Sequence, residues 1–485
     1  MKQFLFLSLA AGSLLLAGCS SVTNSHLQKQ PMMSEYLAGQ DAKVNPLLAE
    51  KLKSTSGSGD ELMWRLEAGS FLFNAGDYPK SITEFEKAEE LVTAYDDRPT
   101  VSARDAGAEG GVMLTNLNVL PYRGFCRDRV ALSMYKSLAY LGEGREDSFN
   151  AQLRRLRTTQ KEIREKYDKA FQTEQKELST AARKNSKSTA GLTTGQAAVN
   201  NTGSGEFNRA LAETRVVANR GYADFLNPAA LFLSGLGSLR EGEVDNAVID
   251  FRRVYEAMPE DPQAQRLYVT VLAMAKQEIP KELAKVEPFD FPLDRNCVYV
   301  LFANGRGAAF RQVAIYFPVM TAYPVCEFYP APFRFLKVEA GGRSGETRTL
   351  ADMDAILARE YDERLPGMVT RIILSTAIKE GASYTGAWAV GRENAVAGVA
   401  VLLGSMVYRA TFNTADTRSW EMLPKEFQLC VLPMPADRKV TLDPDGAPGR
   451  AFSVTIPEAD RSAIIYVNAP SAGTVRAQVL GMPSR

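Results

Sequence analysis

Met63-Trp64-Arg65-Leu66-Glu67-Ala68-Gly69-Ser70-Phe71-Leu72-Phe73, then Asn74-Ala75-Gly76-Asp77-Tyr78, then Ile82-Thr83-Glu84-Phe85-Glu86-Lys87-Ala88-Glu89-Glu90-Leu91 is the stretch that decides the architecture. Apolar residues recur at helical spacing on both sides of a polar break that contains a glycine, so the stretch reads as two short amphipathic helices around a turn. The pattern returns in Leu231-Phe232-Leu233-Ser234-Gly235, Arg240-Glu241-Gly242-Glu243-Val244 and Ala247-Val248-Ile249-Asp250-Phe251, followed by Met258-Pro259. A less complete copy runs from Met134 through Gly142 to Phe149 and Leu153, with Gly144-Arg145-Glu146 in place of the usual turn. The spacing of the copies is unequal, so the units are interrupted rather than tandem.

This pattern resembles the tetratricopeptide repeat of about 34 residues, in which small residues let paired helices approach and aromatic ones fill the groove between them. Gly69, Gly76, Tyr78, Phe85 and Ala88 sit where that motif wants them, as do Gly242 and Phe251 in the later copy. The resemblance implies a tetratricopeptide-like helical domain over residues 60–285. Within it, residues 150–187 carry eleven Lys/Arg against five Asp/Glu. Leu153, Leu156, Ile163, Tyr167, Ala170 and Leu178 recur there at roughly heptad spacing, which predicts one long basic helix with a narrow apolar seam. Its basic face suits a neighbouring helix, anionic lipid heads or an acidic partner. Residues 186–205 are rich in Ser, Thr, Gly and Asn and read as a disordered loop.

After Pro280 the periodicity changes to strands. Residues 297–302 and 313–318, separated by Asn304-Gly305-Arg306-Gly307, read as a hairpin. Residues 427–432, 440–442, 453–456 and 463–467 are further short strands between Pro, Gly and Asp. Helical spacing returns over residues 350–379, with Pro366 as a break, and over the apolar run 395–410, which is too short to cross a bilayer. The expected fold class is therefore α + β and multidomain, the helical repeat domain being followed over residues 286–485 by a mixed, mainly β-sandwich-like domain with inserted helices. Cys126, Cys297, Cys326 and Cys430 form no Cys-x-x-Cys pair. Cys297 and Cys326 are either a disulfide or buried free thiols.

The N-terminus supplies an address. A lysine, an apolar run and Leu16-Ala17-Gly18-Cys19 read as a signal peptide over residues 1–18. The last four residues resemble a bacterial lipobox, which implies acylation at Cys19 by two or three chains, palmitate among them, enough for stable anchoring. Ser20 in place of Asp points by the same resemblance to the outer membrane, facing the periplasm. Residues 19–59 read as a flexible tether, with a root-mean-square span of roughly 35 Å.

Thr414-Ala415-Asp416-Thr417-Arg418-Ser419-Trp420-Glu421-Met422-Leu423-Pro424 and Leu120-Pro121-Tyr122-Arg123-Gly124, taken with the lipobox and the repeats, resemble an uncharacterised family of bacterial outer-membrane lipoproteins. The likeness covers most of the mature chain and brings no activity or cofactor with it; it implies an envelope protein with a link to peptidoglycan synthesis. Asp416 and Arg418 are expected to pair and Trp420 to pack beneath them, as fold support or as a binding patch.

The 485 residues hold 57 Lys+Arg and 57 Asp+Glu, with 45% hydrophobic and 24% charged residues, an ordinary globular composition with no charge directed at nucleic acid. At about 150 residues per domain, roughly three domains are expected. The one histidine, His26, falls in the expected tether, which leaves the body without imidazole chemistry. Gly-x-Ser-x-Gly does not occur, so a serine triad is excluded. Asp352 with Asp354 and Glu360 with Glu363 are carboxylates of the type that cleaves glycans, but at these spacings they read as a solvated face. No enzyme activity, metal or cofactor is expected. Two functions stay open: a lipid-anchored periplasmic adaptor or scaffold whose repeat groove binds a protein or peptide partner, and a carboxylate-dependent cell-wall hydrolase. A shallow groove favours the first and two convergent acids in a cleft the second.

Overall fold

The computed structural model describes residues 24–97, 121–184, 192–315, 321–393 and 414–483. The expected signal peptide, Cys19 and the apolar run 395–410 lie outside them. Helices α1 (Ser25–Leu37), α2 (Asp41–Ser54), α3 (Glu61–Asn74), α4 (Tyr78–Asp97), α5 (Cys126–Gly142) and α6 (Glu146–Lys184) come first. They are followed by α7 (Gly195–Asn200), α8 (Gly205–Ala218), α9 (Pro228–Arg240), α10 (Val244–Ala257) and α11 (Pro262–Met274). Strands β1 (Cys297–Asn304), β2 (Ala309–Ile315), β3 (Thr321–Glu327), β4 (Leu336–Ala340), β5 (Arg343–Glu346) and β6 (Arg348–Asp352) lead into the long helix α12 (Met353–Glu393). Then come β7 (Glu426–Pro433), β8 (Lys439–Pro444), β9 (Phe452–Thr455), β10 (Asp460–Ser471) and β11 (Thr474–Pro483). The fold is mixed α + β, with helices in the N-terminal part and sheets in the C-terminal part.

The quoted stretch forms the hairpin α3–α4, and the two later copies form α5–α6 and α9–α10. Interrupted in sequence, the hairpins are contiguous in space: α3, α4, α5, α6, α9, α10 and α11 each pack on the next. Gly76, Gly144 and Gly242 close the three turns with φ of 80°, 79° and 78°, a left-handed conformation that glycine adopts without strain. The turn at Gly144, irregular as a motif, therefore makes the same bend as the others. A Cβ on Gly69 would stand 2.4 Å from the Phe85 ring, one on Gly235 2.7 Å from Phe251, and one on Gly142 2.6 Å from Tyr78. Glycine and aromatic are sixteen residues apart in the first and last hairpins. Ala88 is fully buried in α4. Gly69→Ala or Gly235→Ala is expected to cost about 1–3 kcal/mol, because the ring cannot retreat from a close-packed core; an unchanged melting temperature would contradict this packing.

Strands β11-β10-β1-β7-β6 form a five-stranded sheet in which β1 and β10 run parallel. Along β1, Val298, Val300 and Phe302 enter one core while Tyr299, Leu301 and Ala303 enter another, the two-residue alternation of a strand buried on both faces. One face is covered by the four-stranded sheet β5-β4-β8-β9, through Leu336, Val338, Val440 and Leu442. The other is covered by the helical stack. Phe73 meets Tyr466 at 4.9 Å between ring centroids, Phe232 meets Tyr299 at 5.9 Å and Tyr135 meets Phe427 at 6.2 Å. The helical region and the central sheet thus share one hydrophobic core, and the chain does not divide into separate cores near residue 285. A third cluster gathers α7, α8, the β2–β3 hairpin and α12 around Phe207, Phe310, Tyr361 and Val369.

Several expectations are corrected. Residues 25–54 are not a tether: α1 and α2 are folded, with Met32, Met33, Tyr36, Val44 and Leu48 in the main core. Tyr36 Oη receives the side-chain amides of Asn74 and Asn468, both at 2.9 Å, and Leu37 O receives the hydroxyls of Ser471 and Thr474. Part of the expected loop 186–205 is helix α7, whose Val199 is fully buried. β1 does not form a hairpin with β2; β2 pairs with β3 instead, because Asn304 is held in the core by Phe333 O and Glu426 and turns the chain out of the sheet. α12 runs through Pro366, with Leu365 and Val369 buried on either side. The seam of α6 is as expected except at Ala170, which is exposed. The four described cysteines are buried free thiols.

Candidate functional site

The segment from Thr414 to Pro424 has almost no regular structure but is buried in the middle of the molecule. Trp420 is fully buried, donates from Nε1 to Ser70 Oγ at 3.0 Å, and lies 6.1 Å from Phe85 and 5.9 Å from Tyr135. Arg418 donates to Asp416 from Nε at 2.8 Å and Nη2 at 2.7 Å, and from Nη1 to Asp60 at 3.1 Å. The expected pair is present, and the tryptophan packs against the stack.

Glu421 is the centre of a buried charge network. Its carboxylate lies 3.1 Å from His26 Nδ1, 3.1 Å from Arg306 Nη2 and 3.6 Å from Lys29 Nζ. Lys29 also pairs with Glu67 at 2.9 Å and donates to Ser419 O, while Glu67 accepts the backbone N–H groups of Glu421 and Met422 at 2.8 and 2.9 Å. Lys29, Glu67 and Glu421 have no exposed side-chain surface. Burial alone would raise Glu421, but Lys29, His26 and Arg306 outweigh it and hold the carboxyl below its ordinary range. Glu67 goes the other way, pushed up by burial with Lys29 only partly offsetting it. His26 therefore belongs to the body, not to a tether. The network fastens α1 to the 414–424 segment, and Asn24, just before α1, accepts from Thr417 Oγ1 at 3.0 Å.

Asp416 and Arg418 also line a cavity of about 440 Å³, within the roughly 300–1,000 Å³ of ligand pockets. Its walls come from α6, α12, the start of α5 and the β2–β3 hairpin. Phe125 and Phe310 are 5.4 Å apart and Phe310 and Tyr361 5.6 Å, making an apolar floor. Above it the Arg364 guanidinium sits 5.1 Å from the Phe125 ring and 5.0 Å from Tyr167, paired with buried Glu360 at 2.7 Å. Arg371 pairs with Glu174 at 2.9 Å, and Arg129 and Lys166 flank Asp96 at 2.8 and 3.0 Å. Tyr167 is 8% exposed. The Nε of Arg371 is buried with no hydrogen-bond partner among the described residues, and the Tyr167 hydroxyl is buried beside the Arg364 guanidinium with no acceptor there for its proton. Burial pushes the Tyr167 phenol well up, so it remains a donor.

The carboxylates singled out in the sequence do not converge. Asp352 caps α12 through Ala355 N and pairs with Arg220, whereas Asp354 is buried against Lys425 and Ala308 N, its carboxyl pushed up to about 6 by that burial. Glu360 is buried beside Arg364, and Glu363 faces Arg164 and Arg359. The solvated-face reading is wrong for Asp354 and Glu360, which are interior. Among the described residues no group of His, Cys, Asp and Glu is arranged to hold a metal, and no helix is long and apolar enough to cross a membrane. No protein-family model matches the chain, and no match is found among curated proteins or solved structures.

None of the repeat-motif residues is among the cavity's lining residues: Gly69 meets Phe85, Gly235 meets Phe251 and Gly142 meets Tyr78 between helices, Gly76 and Gly242 close turns, Ala88 is buried in α4, and Tyr78 also donates to Gln478 at 2.9 Å. Tyr167, Arg364 and Arg371 had not been singled out as site residues. The signal for the last two was present: Tyr361, Arg364, Met368, Arg371 and Ile372 recur at the spacing of one helix face.

Proposed function

We propose that the protein is a lipid-anchored, non-catalytic adaptor of the bacterial envelope, held at the outer membrane through acyl chains on Cys19, with the cavity between α6 and α12 as its binding site. The observation that supports binding over hydrolysis is the pairing of three of the four acids that line the cavity: Asp96, Glu174 and Asp416 each lie in an ion pair with an arginine, while the fourth, Glu177, is pushed up by burial with Arg371 partly offsetting it. Carboxylates so engaged are poor general acids or bases, and the glycan-cleaving arrangement needs two that face the same bond. The repeat groove does not serve, because its apolar face is covered by the central sheet. A protein or peptide partner would meet the cavity rim or the outer faces of the helices; a role in peptidoglycan synthesis stays a suggestion of the family resemblance alone.

Folding of α1 changes the anchor. Asn24 is the first described residue and is fixed to Thr417, so the five Cα–Cα steps from it to Cys19 span at most about 18 Å. The adaptor stands against the membrane rather than searching the near periplasm. Cys19→Ala is expected to move the protein from the outer-membrane fraction to the soluble periplasm, since no acyl chain remains; unchanged fractionation contradicts the anchor. A photo-crosslinking residue at Ala170, exposed on the cavity wall, tests the binding site in the lipidated chain. Discrete adducts in intact cells, absent with the same residue at exposed Ile249 on α10, support the reading. Equal or no labelling at both positions defeats it.

A further inference from the structure

We infer that the cavity takes a single-chain amphiphile with an anionic head, of the fatty-acid or lysophospholipid class, drawn from the membrane beside which the body is anchored; this rests on the reading of the cavity as the binding site. The two halves of such a ligand match two parts of the wall. Phe125, Phe310, Tyr361, Ile163, Met368 and Ile372 present carbon to an acyl chain, and burial of apolar area supplies its affinity at about 25 cal/mol per Å². The head is specified by what the protein leaves unsatisfied. The Nε of Arg371 is a buried donor without a partner among the described residues, and the buried Tyr167 hydroxyl, whose oxygen faces the Arg364 guanidinium, has no acceptor there for its own proton. A buried donor left unpaired costs free energy that an acceptor restores. With Arg364 stacked against the Tyr167 ring, the acceptor that answers these groups is an oxyanion, carboxylate or phosphate, rather than an amine or an alcohol.

Position supports the membrane as the source. Asp416 and Arg418, on the cavity wall, flank Thr417, the residue bonded to Asn24. The cavity therefore lies beside Asn24, which is at most about 18 Å of polypeptide from the proposed anchor at Cys19. A ligand leaving the bilayer there crosses little water before its chain is buried again. An unanchored protein would have to extract the same amphiphile across the full periplasm, with each CH₂ costing about 0.8 kcal/mol to expose.

The test uses the chain from Ser20 onward, which keeps every described residue, and displacement of a dansyl-labelled fatty acid. Palmitate and palmitoyl-lysophosphatidylglycerol distinguish a carboxylate from a phosphate head, and hexadecanol is the neutral control. Saturable one-to-one binding of either anion, about tenfold or more tighter than hexadecanol, is expected from the charge-assisted contacts. Ala170→Trp, which fills the cavity from an exposed position, should abolish it with the melting temperature unchanged, and Arg371→Gln should weaken it by about tenfold. No displacement by either anion, binding equal to hexadecanol, or binding indifferent to both variants overturns the inference. So does a peptide co-purifying in the cavity of a chain that refuses palmitate. Adducts at Ala170 in cells without palmitate binding would leave the adaptor reading standing and this inference refuted, whereas loss of both would refute both.

Discussion

Glu421→Gln is expected to destabilise the folded chain by about 3–5 kcal/mol at neutral pH, because it removes the anionic centre of a buried network and leaves cations without their partner. Lys29 would keep Glu67, but His26 and Arg306 lose their contacts at 3.1 Å. The pH dependence has a definite sign. Glu421 is held below its ordinary 4.5 in the folded state, so the stability it contributes is present above that value and is lost as pH falls through the depressed one. The gap between wild type and variant should therefore be full at pH 7 and narrow below pH 4.5. Glu67, raised by burial, acts oppositely but is present in both proteins. Urea unfolding across pH reads both effects, and a gap that widens toward acid would contradict the assignment of Glu421 as the ionised centre. Lys29→Met combined with Glu421→Gln should cost less than the sum of the two single changes, since both act on one network.

Trp420→Ala should cost a similar amount, about 3–5 kcal/mol, the range for truncating a buried aromatic. Beyond the lost ring area, Ser70 Oγ loses its donor and Phe85 and Tyr135 lose a neighbour. The consequence reaches further than one site, because Trp420 stands where the helical stack and the central sheet share a core. Helix loss followed by circular dichroism and tryptophan emission should move together to lower urea in one transition. A helical transition displaced by the variant while a second, sheet-based one stayed in place would mean that the two parts fold separately.

The helix pairs were legible because their signal is local: a glycine, an aromatic sixteen residues on, and a turn glycine between. Their adjacency in space was not, since the approach of α6 to α9 depends on contacts such as Leu153 against Gly237, which no periodicity carries. The strands β7, β8, β9 and β10 announced themselves as apolar runs, but β1 pairs with β10 across more than half of the C-terminal region, and a short-range hairpin reading had no access to that partner. The N-terminal helices were missed for a different reason. The buried side of α1 includes Ser25, His26 and Lys29, residues that count as polar until Glu421 and Glu67 are placed opposite them. The pairing of Asp416 with Arg418 could be read at i,i+2; the cavity they border is assembled from segments far apart in the chain and could not.

Amide hydrogen exchange over residues 25–54 of the intact chain tests most directly whether the N-terminal segment belongs to the body. Met32, Met33 and Tyr36 are at most 2% exposed, and α1 is fastened at one end to Glu421 and Thr417 and at the other to Ser471 and Thr474. Opening α1 therefore requires breaking the buried network, so its amides should exchange as slowly as those of β10, with Glu421→Gln accelerating both. Exchange of residues 25–37 within seconds, at the rate of an unstructured chain and unaffected by Glu421→Gln, would contradict it.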